Sequence, residues 1–318
     1  MRFLCSIFMC VILAATVFWY FGTHKTAQGN NKKFTIVCTT TILADTIRNV
    51  VGDHAAVISL MGPGVDPHLY RAREGDVHRL ASADLVFYHG LHLEGKLATI
   101  LESLERYAPT YAVSDVIPKD LLRRSHPLAS YEAAADPHIW HAVPLWIRVV
   151  AYVADCCAQH DPVNAIDYYA NADAYIHQLL ELHIFMLDII ASIPFEQRIL
   201  VTAHDAFGYF GATYGLEVVA LQGISTEAEI GAWDVANLVD LIVQKKVPAL
   251  FVETAIPHRM LQAVIDAVQV RGHSVRLGDE LYADALGDAQ SDVDTYAGML
   301  QHNVGAIVSG LGNNSIIS

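Results

Sequence analysis

The sequence predicts an α/β protein of two lobes, each a mainly parallel sheet covered by helices, joined by one long rigid helix. Short apolar, β-branched segments alternate with amphipathic segments in both halves of the 318-residue chain, which is typical of parallel sheets covered by helices. Residues 163–193 contain neither Gly nor Pro. As one helix they would span roughly 45 Å, which exceeds an ordinary domain helix and favours a helix that links two lobes. Two helices with an unmarked break are the alternative.

Each half is predicted to contain four strands and four helices. In the first half the strands are 34–40, 56–61, 84–89 and 110–116, and the helices are 42–51, 76–83, 93–107 and 143–159. In the second half the strands are 199–202, 217–221, 249–253 and 274–277, and the helices are 206–214, 227–246, 257–270 and 293–311. We therefore divide the chain into a signal and tether (1–32), an N-terminal lobe (33–160), a linking helix (161–194) and a C-terminal lobe (195–318).

The composition allows a large core and argues against nucleic acid as a partner. Hydrophobic residues make up 53% of the chain and charged residues 17%, with a formal net charge of -14. An acidic protein repels the phosphate backbone and suits cationic ligands, although acidity also simply maintains solubility. The five cysteines form neither a disulfide framework nor a CxxC metal motif.

The N-terminus has the pattern of an export signal. Met1 and Arg2 precede an apolar run at 3–21, long enough to cross a bilayer and ending in aromatic residues. Cys10 follows Phe8-Met9, a poor match to a lipoprotein signal. We expect a periplasmic protein anchored to the inner membrane by an uncleaved segment, with a cleaved signal peptide as the alternative.

The tripeptide Asp-Pro-His occurs at 66–68 and again at 136–138. Proline fixes its own φ and holds the preceding residue in an extended conformation, so His68 and His138 lie on stiff loops. Imidazole is the commonest metal ligand in proteins. The repeated motif favours a metal site that is built before the ion arrives, although chance recurrence is the alternative.

Further candidate ligands follow strands of the second half. His204 comes directly after the strand at 199–202, and the acids Asp279, Glu280, Asp284 and Asp288 lie in the loop after 274–277. Ligands of open α/β sheets bind beyond the carboxyl ends of the strands, so facing lobes would bring these residues to one cleft. Three imidazoles and a carboxylate suit Zn²⁺ or a neighbouring divalent ion. The residue pattern alone does not choose among the four acids.

Four stretches in order resemble the ligand motifs of one known family. They are MGPGVDPHLY (61–70), DPHIW (136–140), VTAHDAFGYF (201–210) and LYADALGD (281–288). The chain resembles the zinc/manganese-binding (cluster A-I) receptors of bacterial ABC importers, and most closely their treponemal TroA type. The resemblance implies that His68, His138, His204 and Asp284 are the ligands, and that one long helix bridges two α/β lobes.

The resemblance does not determine which metal ion the protein binds. The zinc branch often carries a long His-rich loop, whereas residues 118–135 contain only His126. The manganese branch usually has Glu as third ligand, and this chain has His204. A third imidazole favours Zn²⁺, with Mn²⁺ and Fe²⁺ as alternatives.

Three acids are candidates for supporting the ligands. Asp66 and Asp136 could hydrogen-bond back to their loops or be simple turn acids. Glu253 could orient a ligand imidazole or be an exposed acid at a strand end. His89 and His92 are interpreted as surface residues.

We therefore expect a monomeric metal receptor, not an enzyme, that delivers its ion to a membrane permease powered by an ATPase. Release would require local movement, which we expect in the loop 278–292. A zinc hydrolase with a His₃–water site is the alternative, although the chain lacks HExxH and GxSxG motifs. A surface adhesion role, sometimes proposed for relatives, has no direct support in the sequence.

Overall fold

A four-stranded parallel sheet organises the first half of the chain. The computed structural model describes residues 33–124, 135–227, 230–257 and 259–312, so the predicted signal segment and tether lie outside it. The sheet has the order β2-β1-β3-β4 and comprises β1 (Phe34–Cys38), β2 (Ala55–Ser59), β3 (Leu85–Tyr88) and β4 (Thr110–Ala112). Its helices are α1 (Thr41–Val51), α2 (Glu74–Ala81), α3 (Ala98–Leu104) and α4 (Val143–His160).

Two predicted elements of this half are shorter than expected. The strand predicted at 110–116 ends at Ala112 and continues as a 3₁₀ turn, Val113–Val116, whose buried Val113 packs in the core beside α4. The helix predicted at 93–107 is a 3₁₀ turn followed by α3. Leu91 and His92 have positive φ, so the chain turns sharply before this helix starts.

The second half has its own parallel strands. They are β5 (Ile199–His204), β6 (Glu217–Gln222), β7 (Ala249–Leu250) and β8 (Arg276–Leu277). β5 pairs with β6 and β7 with β8, and a parallel bridge between Thr202 and Phe251 joins the two pairs. The helices are α6 (Gly208–Tyr214), α7 (Ala232–Lys245), α8 (Arg259–Val270) and α9 (Tyr296–Leu311).

Helix α7 begins five residues later than predicted. Gly231 is its N-cap, and the Asp234 carboxylate accepts the Gly231 backbone N–H at 2.8 Å. A carboxylate at this position satisfies a free donor of the first turn and complements the helix dipole. The local cap therefore sets the start of the helix.

The long helix α5 (Ala165–Ala191) joins the lobes without a break, so the two-helix alternative is wrong. Its 27 residues span about 40 Å. Residues 162–191 are apolar and long enough to cross a membrane, yet one face of α5 packs against α1, α4 and α9 within the fold. That face is a helical stripe of Tyr168, Ala172, Tyr175, Leu179, Leu182, Met186 and Ile190.

One hydrophobic cluster extends through both lobes. It includes Ile36 of β1, Trp146 of α4, Leu200 of β5 and Leu300 of α9. Because the lobes share this core with α5, a large hinge motion would expose buried apolar surface. β5 ends at His204, so this candidate ligand lies at the carboxyl end of its strand.

Candidate metal site

Three imidazoles and one carboxylate form a single buried cluster. His68, His138, His204 and Asp284 are 4%, 0%, 1% and 3% exposed, and one donor atom from each lies within 4.8 Å of the others. These are the residues that the sequence motifs singled out. Asp279, Glu280 and Asp288, the other acids of that loop, are exposed. Burying four polar groups together is costly unless a bound ion or proton compensates them.

The His68 loop is held by the carboxylate of Asp66. Oδ1 of Asp66 accepts the backbone N–H of His68 at 2.8 Å, and Oδ2 accepts the hydroxyl of Thr226 at 2.6 Å. Thr226 lies 160 residues further along the chain, on the loop after β6. Asp66 is therefore a turn acid that also ties the ligand loop to the opposite lobe.

Asp136 orients His138. Its Oδ1 accepts both the backbone N–H of His138 at 2.9 Å and the ring Nδ1–H at 2.8 Å. With the proton on Nδ1 engaged, Nε2 faces the cluster, 3.4 Å from Nε2 of His68, and is the atom that can bind an ion once it has lost its proton. The tripeptide therefore supplies a donor atom and the group that aims it.

Glu253 lies behind His204 and is 0% exposed, so of the two alternatives for this residue, an exposed strand-end acid is wrong. Its Oε1 is 3.3 Å from Nδ1 of His204 and accepts that residue's backbone N–H at 3.1 Å. Oε2 accepts the N–H of Ala203 at 3.2 Å. His204, the last residue of β5, is thus fixed by its strand and by this carboxylate.

The Asp284 carboxylate faces all three imidazoles. Oδ1 is 3.4 Å from Nε2 of His138, and Oδ2 is 3.4 Å from Nε2 of His204 and 4.0 Å from Nε2 of His68. Within the described residues, neither oxygen has a conventional hydrogen-bond partner. In a tetrahedral site with bonds of about 2.0–2.1 Å, neighbouring donors lie about 3.3–3.4 Å apart. The contacts of 3.4 Å match that spacing, although they involve both oxygens of Asp284, and the contact with His68 is longer.

Burial and neighbouring carboxylates shift the pKa of each imidazole in the cluster. Burial lowers the pKa of His138, but Asp136 and Asp284 outweigh it and raise that pKa to about 9. Burial opposes a charge on His204 as well, yet Asp284 and Glu253 raise its pKa well above the usual value. Burial lowers the pKa of His68 to about 4. In the absence of metal, protons on His138 and His204 therefore compensate the buried carboxylate.

Sequence reasoning misjudged one histidine and overlooked several supporting residues. His89, predicted to be on the surface, is 1% exposed, and its Nε2–H donates to the carbonyl of Pro137 at 2.6 Å. The reason is that Glu94, also buried, accepts the backbone N–H groups of His89 and Gly90 and turns the chain inward. His92 is exposed, as predicted. The contacts of Thr226, Trp140 and His141 join residues far apart in sequence and left no local signal.

Comparison with known proteins identifies the family. Residues 36–310 match the family described as "Zinc-uptake complex component A periplasmic". The zinc-binding protein TroA of Treponema pallidum (strain Nichols) is 43% identical over 291 residues, 92% of each chain. The chain belongs to this family. Its members are metal-binding receptors of bacterial ABC importers, so the chain is a binding protein and not an enzyme, and the hydrolase alternative is not supported.

The metal named for the relatives differs from one to the next. The manganese-binding lipoprotein MntA of Bacillus subtilis (strain 168) is 40% identical over 305 residues, covering 94% of this chain and 98% of its own. The iron-binding protein YfeA of Yersinia pestis is 30% identical over 281 residues, 88% and 87% of the two chains. Family membership alone therefore does not fix the ion.

The structural comparison confirms the predicted fold class. The solved structure of the periplasmic zinc-binding protein TroA from T. pallidum superimposes with a TM-score of 0.84 at 43% identity, covering 88% of this chain and 100% of that chain. Two α/β lobes with parallel sheets, joined by a long helix, are thus a property of this receptor family.

Proposed function

We propose that this receptor captures Zn²⁺ with His68, His138, His204 and Asp284 and delivers it to a membrane permease driven by an ATPase. The observation that carries the proposal is the spacing of the donors, 3.4 Å for three of the contacts in a fully buried cluster. That spacing suits an ion with four nitrogen and oxygen ligands at zinc distances.

The donor chemistry also favours zinc over manganese. Imidazole nitrogens suit Zn²⁺, whereas Mn²⁺ prefers carboxylate, carbonyl and water oxygens in octahedral sites. Here three of four donor residues are imidazoles, and each of these is at most 4% exposed, which leaves little access for water ligands. Manganese and iron, named for MntA and YfeA, are the alternatives.

The supporting carboxylates complete the site. Asp136 and Glu253 each contact the Nδ1 of a ligand imidazole, so Nε2 of that ring is left for the ion. Such carboxylate–histidine–metal arrangements fix the ring and raise its basicity. We assign Asp136 and Glu253 this orienting role, and Asp66 the role of fixing the His68 loop.

The surroundings of the receptor complete the proposal. It acts as a monomer in the periplasm, held at the inner membrane by residues 1–32, with the lobes at 33–160 and 195–318 on either side of the linking helix 161–194. The apolar run at 3–21 supports the anchor. The family description, periplasmic component of a zinc-uptake complex, supports the location and the partners.

The test is zinc binding to the purified, metal-free full chain, measured by competition with a chromophoric chelator. We expect His204→Ala to lower zinc affinity at least a hundredfold with little loss of thermal stability, since one of four ligands is removed. His183→Ala is the matched control, because His183 bonds Tyr214 and lies outside the cluster. Unchanged affinity in His204→Ala would remove His204 from the site.

A further inference from the structure

One backbone carbonyl beside the metal cluster accepts hydrogen bonds from two neighbouring side chains. The indole Nε1–H of Trp140 donates to the carbonyl of Ala283 at 2.7 Å, and Nε2–H of His141 donates to the same oxygen at 3.1 Å. All three residues are at most 2% exposed. We call Trp140, His141 and the Ala283 carbonyl the Ala283 clamp.

The clamp joins two of the candidate ligands. Ala283 immediately precedes Asp284, and Trp140 and His141 belong to the 3₁₀ turn that follows His138. The bonds span 142 and 143 residues of sequence and connect the two lobes. His138 and Asp284 are therefore held at a fixed separation by a contact that neither ligand makes itself.

The clamp is itself held by the core. Tyr296, the first residue of α9, donates its hydroxyl to the carbonyl of Trp140 at 2.5 Å and its backbone N–H to Asp45 at 3.0 Å. Asp45 lies on α1, and His141 stacks on Phe207 with ring centroids 4.4 Å apart. Trp140 and His141 thus have little freedom to follow a displaced Asp284.

Apart from the imidazoles of the cluster, the Asp284 carboxylate has no protein donor among the described residues. Its direction is consequently set by its backbone, which Asn303 holds at Tyr282 by two bonds of 2.9 and 2.7 Å, and which the clamp holds at Ala283. We propose that Trp140 and His141 are positioning residues that set where Asp284 meets the metal, and so the coordination geometry and the preference for zinc. This inference rests on the proposed function of the cluster.

A carboxylate fixed at the spacing of a four-coordinate ion favours that ion, whereas a loosened one can shift to serve ions that need more or longer bonds. Loss of outer contacts of this kind commonly lowers metal affinity 10- to 100-fold. The movement of loop 278–292 that we predict for metal release must also break the clamp.

The experiment compares variants of the full chain that keep ring packing but remove a donor. Trp140→Phe and His141→Leu remove the clamp bonds, while His141→Gln keeps an amide N–H near the position of Nε2. Tyr168→Phe is the matched control, since Tyr168 is also fully buried and loses a donated bond, to Asp161 at 2.6 Å, away from the ligands. The readouts are Zn²⁺ and Mn²⁺ affinity, the visible spectrum of the Co²⁺-loaded protein, and the melting temperature without metal.

We expect Trp140→Phe and His141→Leu to lower zinc affinity about 10- to 100-fold, to lower the zinc-to-manganese affinity ratio, and to change the cobalt bands. His141→Gln should lie near the wild type, and Tyr168→Phe should melt earlier with both metal readouts unchanged. If Trp140→Phe does not fold, the comparison of His141→Leu with His141→Gln tests whether the clamp positions Asp284. Wild-type affinity and cobalt spectrum in Trp140→Phe and His141→Leu would overturn the positioning role of the clamp and leave the zinc site standing. A wild-type chain that binds no zinc would instead overturn the proposed function.

Discussion

The carboxylate of Glu253 lies against Nδ1 of His204 at 3.3 Å and accepts the backbone N–H of the same residue at 3.1 Å. One buried acid thus fixes both the ring and the main chain of a candidate ligand. The arrangement follows from the parallel bridge between Phe251 and Thr202 of β5, because it brings Glu253 and His204, each two residues further along, side by side.

Replacing Glu253 by Gln should lower zinc affinity about 10- to 100-fold, since the neutral amide no longer raises the basicity of His204. The melting temperature should fall less than in Glu253→Ala, which leaves two buried N–H groups without acceptors at a cost of about 1–3 kcal/mol each. Chelator competition and thermal unfolding measure the two effects. Glu217→Gln, at an exposed position of β6, is the control, and equal zinc affinity in the two Gln variants would contradict the orienting role.

Zinc affinity should rise with pH because the ion competes with protons for the imidazoles. The pKa of His138 is raised to about 9 and that of His204 well above its usual value, so at neutral pH both rings hold protons when no metal is bound. Each must lose a proton to donate a lone pair. Affinity should therefore fall up to about tenfold per proton for each unit below the raised pKa, or about a hundredfold for two.

Calorimetry in buffers of different ionisation enthalpy counts the protons released. We expect about two at pH 7, and weaker binding still near pH 4, where His68 also takes up a proton. Zinc binding that releases no protons between pH 6 and 8 would contradict the charge arrangement.

The Thr226 hydroxyl should control how fast the metal leaves. It donates to Asp66 across the cleft at 2.6 Å, and Lys96 and Glu227 form an ion pair beside it. Thr226→Val removes a hydrogen bond to a carboxylate, worth about 1.5–3 kcal/mol, while keeping the side-chain shape. We expect zinc release to a chelator to speed up about 10-fold or more.

The control for that measurement is Thr213→Val, whose hydroxyl bonds a carbonyl within its own helix. Stopped-flow release rates should differ between the two variants although both lose one hydroxyl. Identical rates would show that the contact between Asp66 and Thr226 does not hold the site closed.

The long helix offers a stability test from two adjacent residues. Leu179 is 0% exposed and Leu180 is 42% exposed. Leu179→Ala should destabilise the fold by about 2–5 kcal/mol through the cavity that it leaves, and Leu180→Ala by about 0.5 kcal/mol or less. Denaturant unfolding of the metal-free protein measures both, and similar losses would contradict a one-sided packing of α5.

The sequence was most informative about features that neighbouring residues determine. The absence of Gly and Pro from 163–193 predicted one long helix, and the observed α5 is continuous. The Asp-Pro-His motifs located two stiff loops, because proline acts on its immediate neighbours. The strand–helix alternation predicted both parallel sheets.

Long-range contacts could not be predicted from the sequence in the same way. The inward turn of His89 depends on Glu94 and Pro137, and the Ala283 clamp spans more than 140 residues. Hydrogen bonds of this kind impose no periodicity on the chain. The choice of Asp284 among the acids of its loop came from family resemblance, and only the folded structure shows the other three exposed.

The central claim, a closed zinc site of three imidazoles and one carboxylate, is tested most directly by metal analysis of the full chain purified without added metal, followed by challenge with excess Mn²⁺. We predict one zinc per chain, retained against manganese, and none in a variant lacking His204. A chain without bound zinc, or one that exchanges zinc readily for manganese, would contradict the claim.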